Sequence, residues 1–394
     1  MREPPAAMPS TSPGRGIRLT AVGDVSFQGK NADTPALSAF SSILPYFSGD
    51  ANLVIANLEN PVLENGAATP GKCTLRGAVG WADVMKQAGI RLVSLANNHM
   101  MDYGAAGLSS TIAALEKAGI DFVGAGENRT EALAPVYIDH QGQRIAFLAR
   151  SDVFVASHCF ATDELPGVAF FDLEETRRSI AACRRQSDLV VLLLHWGLEH
   201  YLYPSPGQRR TAAELISAGA GLILGHHPHV LQGTERIGKG LVCYSQGNFL
   251  FDEVEWSLPD GNGNRRTLTV HLSAENRRGG ILGVEWIPGE GITATDFHPT
   301  FIRPEGLVAA EDTVDRRRHY DRLCSRLHWP GYGLWWRLYS LKREMELRIL
   351  PLFRDKLTWR KLRKLRLRHF RELRDKLRRS ARISAGKSKS PYDG

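Results

Sequence analysis

Five short stretches of this chain end an apolar run on a residue able to bind a metal ion or move a proton. Asp24 follows the run at 17–22 and Glu59 the run at 53–56. Asn98 and His99 follow the run at 92–96, and His195 the run at 189–194. His227 and His229 close Gly225-His226-His227-Pro228-His229, which follows the run at 222–224. Each has a plainer reading alone: Asp24 as a turn or helix cap, Glu59 as a surface charge, His195 as a core histidine with a partner. Three histidines in four positions after a buried run are costly without partners, and Pro228 favours a turn that brings two imidazoles together. Oxygen and imidazole donors mixed in this way suit Zn, Mn or Fe better than Mg or Ca, whose sites are normally all oxygen. No cysteine stands at any of these positions.

The runs themselves are continuous leucine and β-branched segments, the pattern of strands buried on both faces. Helical stretches alternate with them, at Trp81–Ala88, Gly104–Ala118, Leu173–Arg184 and 208–218. This alternation predicts an α/β fold with a largely parallel or mixed sheet. Open α/β sheets bind ligands at the carboxyl ends of their strands, where the polar residues above fall. Three further short strands are expected at 267–273, 281–286 and 293–298, joined as antiparallel hairpins by turn material at 276–280 and 288–291.

Composition sets the outer limits. The 394 residues are 43% hydrophobic and 23% charged, ordinary globular values that exclude wholesale disorder and collagen. No apolar run is long enough to span a bilayer. Residues 1–16 read as a flexible leader without the apolar stretch of a signal peptide, so a cytoplasmic location is expected. The five cysteines are scattered, odd in number and lack CxxC spacing, which argues against a disulfide framework. The net charge of +8 is uneven: residues 354–379 hold 13 Lys/Arg and 3 Asp/Glu, or 13 − 3 = +10, leaving 8 − 10 = −2 for the rest. Leu357, Leu362, Leu365, Phe370, Leu373 and Leu377 recur there at helical spacing among the cations. That pattern fits a helix packed on the body with a solvated basic face, or an amphipathic helix on an anionic membrane surface. Trp329, Tyr332, Trp335 and Trp336 are expected near a headgroup boundary in the second case. No nucleic-acid fold signature accompanies the charge, and no specific nucleic-acid partner is expected.

The motifs together resemble the bacterial capsule synthesis CapA family, the poly-γ-glutamate biosynthesis proteins, which are related to calcineurin-like metallophosphoesterases. The residues that carry the resemblance are Gly23-Asp24-Val25, Asn57-Leu58-Glu59, Leu95-Ala96-Asn97-Asn98-His99 with Asp102-Tyr103-Gly104, and Gly124-Ala125-Gly126. His195-Trp196-Gly197 with Glu199, 225–232, and Tyr244-Ser245-Gln246-Gly247-Asn248-Phe249 complete it. The resemblance covers about residues 17–252. It implies a metallophosphoesterase-like α/β sandwich with mixed sheets over 17–302, followed by a helical, basic C-terminal extension over 303–394.

The resemblance also implies a site for one or two divalent transition-metal ions. Asn98, His195 and His227 would hold one ion with Glu59; Asp24 and His229 would hold a weaker second. His99 would protonate a leaving group, with Asp102 orienting its ring, and Glu199 and Asn248 would touch substrate or brace the ligands. The chain departs from the metallophosphoesterase pattern at Ser26, where a histidine is usual, at Glu59, where a bridging aspartate is usual, and at Asn97, usually glycine. His226 occupies a variable family position and is left out of the expected ligand set. The implied roles are metal-dependent hydrolysis, or a non-catalytic part in making or exporting an anionic capsule polymer; the basic tail leaves a third, a peripheral membrane scaffold. The implied partners are a phosphoester substrate or an anionic polymer, with 354–379 as a possible contact to an anionic membrane surface.

Overall fold

The computed structural model describes residues 16–49, 52–70, 72–153, 159–259 and 265–349. The leader at 1–15 and the basic segment at 354–379 lie outside the described residues.

The buried runs form two mixed sheets stacked face to face. The first has the strand order Val308–Ala310, Gly291–Ile302, Arg278–Ile287, Ile17–Val25, Asn52–Leu58, Ile90–Ser94, Asp121–Val123. Ile17–Val25 and the three strands after it in this order run parallel, and Asn248–Leu250 pairs parallel with the end of Ile17–Val25. The second sheet has the order Thr234–Ile237, Gly240–Cys243, Leu222–His226, Leu189–His195, Gln143–Ser151, Val136–His140, with four parallel strands flanked by antiparallel edges.

Alternation along the strands builds three apolar layers. Ile17, Leu19, Leu53 and Ile55 meet Phe147, Val191, Leu193 and Leu222 between the sheets. Val54, Ala56 and Leu58 turn the other way, toward Trp81, Met85, Leu108 and Leu115 on the helices Trp81–Ala88 and Gly104–Ala118. Val190, Leu192 and Leu194 pack outward against Ile180, Cys183, Ala212 and Leu215 on Leu173–Arg184 and Pro206–Ser217. The result is an α/β sandwich with mixed sheets, helices covering both outer faces. Leu193 is 1% exposed, and truncating such a side chain to Ala costs about 2–5 kcal/mol.

Two regions differ from the sequence reading. The hairpin of Arg278–Ile287 and Gly291–Ile302 is present, but Arg265–Val270 does not join it. It pairs instead with Val254–Pro259 as a separate ribbon. Thr267, Thr269 and Val270 are all exposed, so this strand has no apolar face to bury in the sandwich. The second difference concerns the aromatic group near 330. Tyr332 and Trp336, on the helix Tyr332–Glu344, are buried in the same layer as Val190 and Ile223, and Trp335 stacks on Tyr339. Tyr332 and Trp336 thus cover the second sheet, Trp335 is half-buried against them, and Trp329 alone of the four is exposed. Among the described residues, no helix is long and apolar enough to cross a membrane.

Candidate metal centre

The two sheets deliver their polar strand ends to one place. In the first sheet Asp24 is in register with Asn57 on one side and Asn248 on the other. In the second, His195 is in register with His226. Close approach of backbones makes these rows possible. A Cβ on Gly23 would lie 1.9 Å from the Gly247 oxygen, and one on Gly225 would lie 2.0 Å from the Tyr244 oxygen. Glycine at both positions lets the crossing strands touch. His227 and His229 follow at φ 92° and φ 55°, left-handed conformations that non-glycine residues seldom take. Such backbone costs on the order of 1–3 kcal/mol and persists where the surrounding fold over-determines it.

The donor atoms converge. His195 Nε2 is 2.8 Å from Asn98 Oδ1 and 3.6 Å from Glu59 Oε1. His229 Nε2 is 3.5 Å from the same Glu59 oxygen, and His229 Nδ1 is 3.5 Å from Asp24 Oδ2. Three groups have ligand atoms within 4.8 Å of one another: Glu59, His195 and His227; Asp24, Glu59 and His229; and Glu199, His227 and His229. Two ligands on a tetrahedral ion with bonds near 2.1 Å stand about 3.4 Å apart, so the 3.5–3.6 Å separations suit a shared ion and are long for direct hydrogen bonds.

The chemistry of the donors fits a cation as well. Asp24 and Glu59 are both 0% exposed. Neither Glu59 oxygen has a hydrogen-bond partner among the described residues, and Asp24 Oδ2, His226 Nε2 and His227 Nδ1 also lack one. Burial, reinforced by the Asp24 charge, holds the Glu59 carboxyl well above its usual range. Burial also pushes Asp24 upward, but the hydrogen bond and charge of His226, aided by His229 and Asn57, outweigh it and leave Asp24 below its ordinary value. Burial and the neighbouring imidazoles hold His195 well below the normal histidine range. Burial takes His227 down to about 4. Neutral imidazoles are the form that ligates metals, and a cation would satisfy the orphaned carboxylate.

Beside this cluster stands a second arrangement. His99 Nδ1 lies 2.8 Å from Asp102 Oδ2, which also accepts the Leu75 amide at 2.6 Å. Lys72 pairs with Asp102, and its ammonium donates to the Asn98 carbonyl at 2.6 Å. The Asn97 side chain accepts the amides of His99 and Met100, which fixes the turn.

All ten residues singled out from sequence fall in this region. Asp24, Glu59, Asn98, His195, His227 and His229 are in mutual contact or near it. Glu199 stands at the exposed rim beside His227 and His229. Asn248 Oδ1 is 2.9 Å from His229 Nδ1, and its Nδ2 donates to Asn276. His226, set aside from sequence, is buried with Nδ1 3.1 Å from Asp24 Oδ1. Asn57 donates to that same Asp24 oxygen at 2.9 Å. Lys72 and Asn276 had no signal: both sit in loops without periodicity. Ser26 is buried and donates to Gln28. A surface cavity of about 840 Å³ bordered by Arg91, Glu116, Gly126 and Glu131 shares no residue with the cluster.

The rim is braced from far along the chain. Arg343 Nε donates to the His200 carbonyl at 2.9 Å, and the Tyr339 hydroxyl accepts the Leu202 amide at 2.8 Å. Tyr332 donates to the Pro204 carbonyl at 2.6 Å, and Tyr201 to Glu344 at 2.7 Å. The helix Tyr332–Glu344 thereby holds the segment that begins beside Glu199.

The capsule biosynthesis protein CapA of Bacillus anthracis is 38% identical over 222 residues, covering 54% of each chain. A probable polyglutamine synthesis accessory protein of Mycobacterium tuberculosis is 34% identical over 169 residues, covering 40% of this chain and 44% of that one. The chain spans about half the length of the curated relatives it matches. Among solved structures, a putative 5'-nucleotidase from Staphylococcus aureus aligns at 15% identity with a TM-score of 0.45, over 78% of this chain and 58% of that one. Residues 18–253, which include every donor described above, match the family described as bacterial capsule synthesis protein PGA_cap, and the chain belongs to that family.

Proposed function

We propose that this chain is a metal-dependent hydrolase of phosphoesterase type that serves capsule or poly-γ-glutamate biosynthesis. The observation that carries the reading is Glu59, a fully buried carboxylate among imidazoles with neither oxygen partnered among the described residues. Glu59, Asn98, His195 and His227 would hold one divalent transition ion, Mn, Zn or Fe; Asp24 and His229, with Glu59 shared, would hold a second. An ion there supplies Lewis acidity toward a phosphoryl or carbonyl oxygen and a strong nucleophile near neutral pH.

The rest of the chemistry belongs to side chains. Asp102 accepts from His99 Nδ1, which leaves Nε2 free to carry the proton that a leaving oxygen or nitrogen needs. Lys72 pairs with Asp102 and ties it to the Asn98 backbone. Glu199, at the open rim, is placed to meet the substrate or a loosely held cation. Asn57 and His226 fix the rotamer of Asp24, and Asn248 that of His229. The substrate is a phosphoester or a related bond in an anionic polymer. Residues 354–379 give the protein a basic contact to an anionic membrane surface, at which it is peripheral.

A second reading follows from Ser26. Its hydroxyl is engaged by Gln28 and offers no imidazole, which weakens the second ion position. With one ion the protein would act as an accessory in polymer synthesis or export. Metal content of the purified protein, followed by turnover of phosphomonoesters, phosphodiesters and γ-glutamyl amides, separates the two. Bound metal with turnover of one class supports the hydrolase. Bound metal with no turnover of any class favours the accessory role, and no metal at all refutes both.

A further inference from the structure

We propose that the outward face of the helix Tyr332–Glu344 and its continuation to Met345 is a docking face for an anionic lipid surface. The proposal deepens the reading of 354–379 as a membrane contact, and extends it to a folded element. Leu334, Leu338, Leu341 and Met345 are 68, 64, 56 and 46% exposed. They stand at i, i+4, i+7 and i+11, one stripe along the helix. The opposite side is committed to the body: Tyr332 and Trp336 are buried, and Tyr339, Arg343 and Glu344 bond the 200–204 segment. Rotation of the helix cannot hide the stripe without breaking those bonds.

Charge names the occupant. Arg337 and Lys342 are exposed on the same face as the leucines, which carries no exposed acid between Tyr332 and Met345. Glu344 is occupied by Tyr201, and Glu346 is shared between Arg343 at 3.1 Å and the exposed Lys342 at 3.6 Å, so its one charge is set against two cations. The helix leads in sequence to 354–379, with 13 cations against 3 acids. An apolar stripe edged by cations suits the headgroup boundary of an anionic leaflet. A second copy of the chain fits less well. Symmetric packing would oppose Arg337 and Lys342 to themselves, and one short stripe is small against the roughly 1,000 Å² of a stable interface.

The test uses full-length protein and vesicles of phosphatidylcholine, alone or mixed with phosphatidylglycerol. Wild type is expected to sediment with the mixed vesicles and not with the neutral ones. Leu338→Ser with Leu341→Ser should lower partition roughly 100-fold, about tenfold for each leucine that loses its burial in the leaflet. Arg337→Gln and Lys342→Gln should each cost about fivefold on mixed vesicles only. All four positions are exposed, so an unchanged melting midpoint confirms that the fold is kept. Unaltered partition of the double leucine variant overturns the proposal, as does equal binding to both vesicles. A dimer in sedimentation equilibrium that the leucine changes dissolve also overturns it, in favour of a second copy. A third variant, with cations of 354–379 changed to Gln, separates the two membrane readings. Loss in that variant alone leaves the segment as the contact and removes the helix; loss in the leucine variant alone does the reverse.

Discussion

Replacing Glu59 by Gln should move stability and metal response in opposite directions. In metal-free protein the buried carboxyl has no hydrogen-bond partner among the described residues on either oxygen, and the Asp24 charge acts on it. Its folded pKa is raised, so its contribution to stability is whole below the ordinary carboxylate pKa and is lost as pH rises toward the raised value. The loss runs at about 1.4 kcal/mol per pH unit for one proton. Gln carries no such proton, and its amide can donate to Asp24. Chelated Glu59→Gln should therefore be about 2–3 kcal/mol more stable than chelated wild type near pH 8, the scale of one or two unsatisfied buried acceptors. Near pH 5 the two should nearly coincide. Metal reverses the order. At a thousandfold excess over its dissociation constant, an ion stabilises wild type by about 4 kcal/mol; a site weakened a hundredfold keeps only about 1.4 kcal/mol. Urea titrations of both proteins, chelated and with Mn or Zn, at the two pH values give all four quantities. A variant that is less stable than wild type when chelated, yet responds fully to metal, would refute the reasoning.

Other consequences are simpler to measure. His227→Ala should lower metal occupancy, read by elemental analysis after dialysis, more than His226→Ala, because His227 belongs to two of the ligand groups while His226 meets only Asp24. Equal losses would show that His226 is a ligand in its own right. If the protein is a hydrolase, His99→Asn should leave metal content unchanged and reduce turnover on the order of 10²-fold or more, as expected for a lost proton donor. Trp336→Ala, which removes a ring 9% exposed under the 200–204 segment, should cost about 3–5 kcal/mol in urea unfolding.

The donors were legible in sequence because each ends an apolar run, and a buried strand that stops on a carboxylate or imidazole has few other uses for it. Parallel strands then bring such ends to one edge without any knowledge of register. What could not be read was contact across the sheets. His226 looked variable, yet its register with His195 turns it toward Asp24. Lys72 reaches Asp102 from a loop, where no period marks a side chain's direction. The ribbon of Val254–Pro259 and Arg265–Val270 escaped for a different reason: Thr267, Thr269 and Val270 are exposed, and Val254 packs with Leu75, Phe251 and Ile302 outside the three layers of the sandwich. Tyr332 and Trp336 were ambiguous because residues that suit a headgroup boundary equally suit the cover of a sheet, and their hydrogen bonds to Pro204 and Tyr203 distinguish the two.

The pairing of Ile17–Val25 with Arg278–Ile287, and of the 200–204 segment with the helix Tyr332–Glu344, has a consequence for order in time. During synthesis every donor leaves the ribosome before either support does, since the last of them, Asn248, precedes both in the chain. The strand that carries Asp24 therefore lacks one edge partner until the hairpin emerges, and the rim stays unbraced until the helix Tyr332–Glu344 does. Domains form as units once their contacts are complete, so a nascent chain stopped near residue 260 should hold its histidines without a finished cage. Arrest of translation there and then beyond 349, with protease protection of 195–229 as the readout, should show protection only at the later stop; equal protection at both would mean that the cage closes without them.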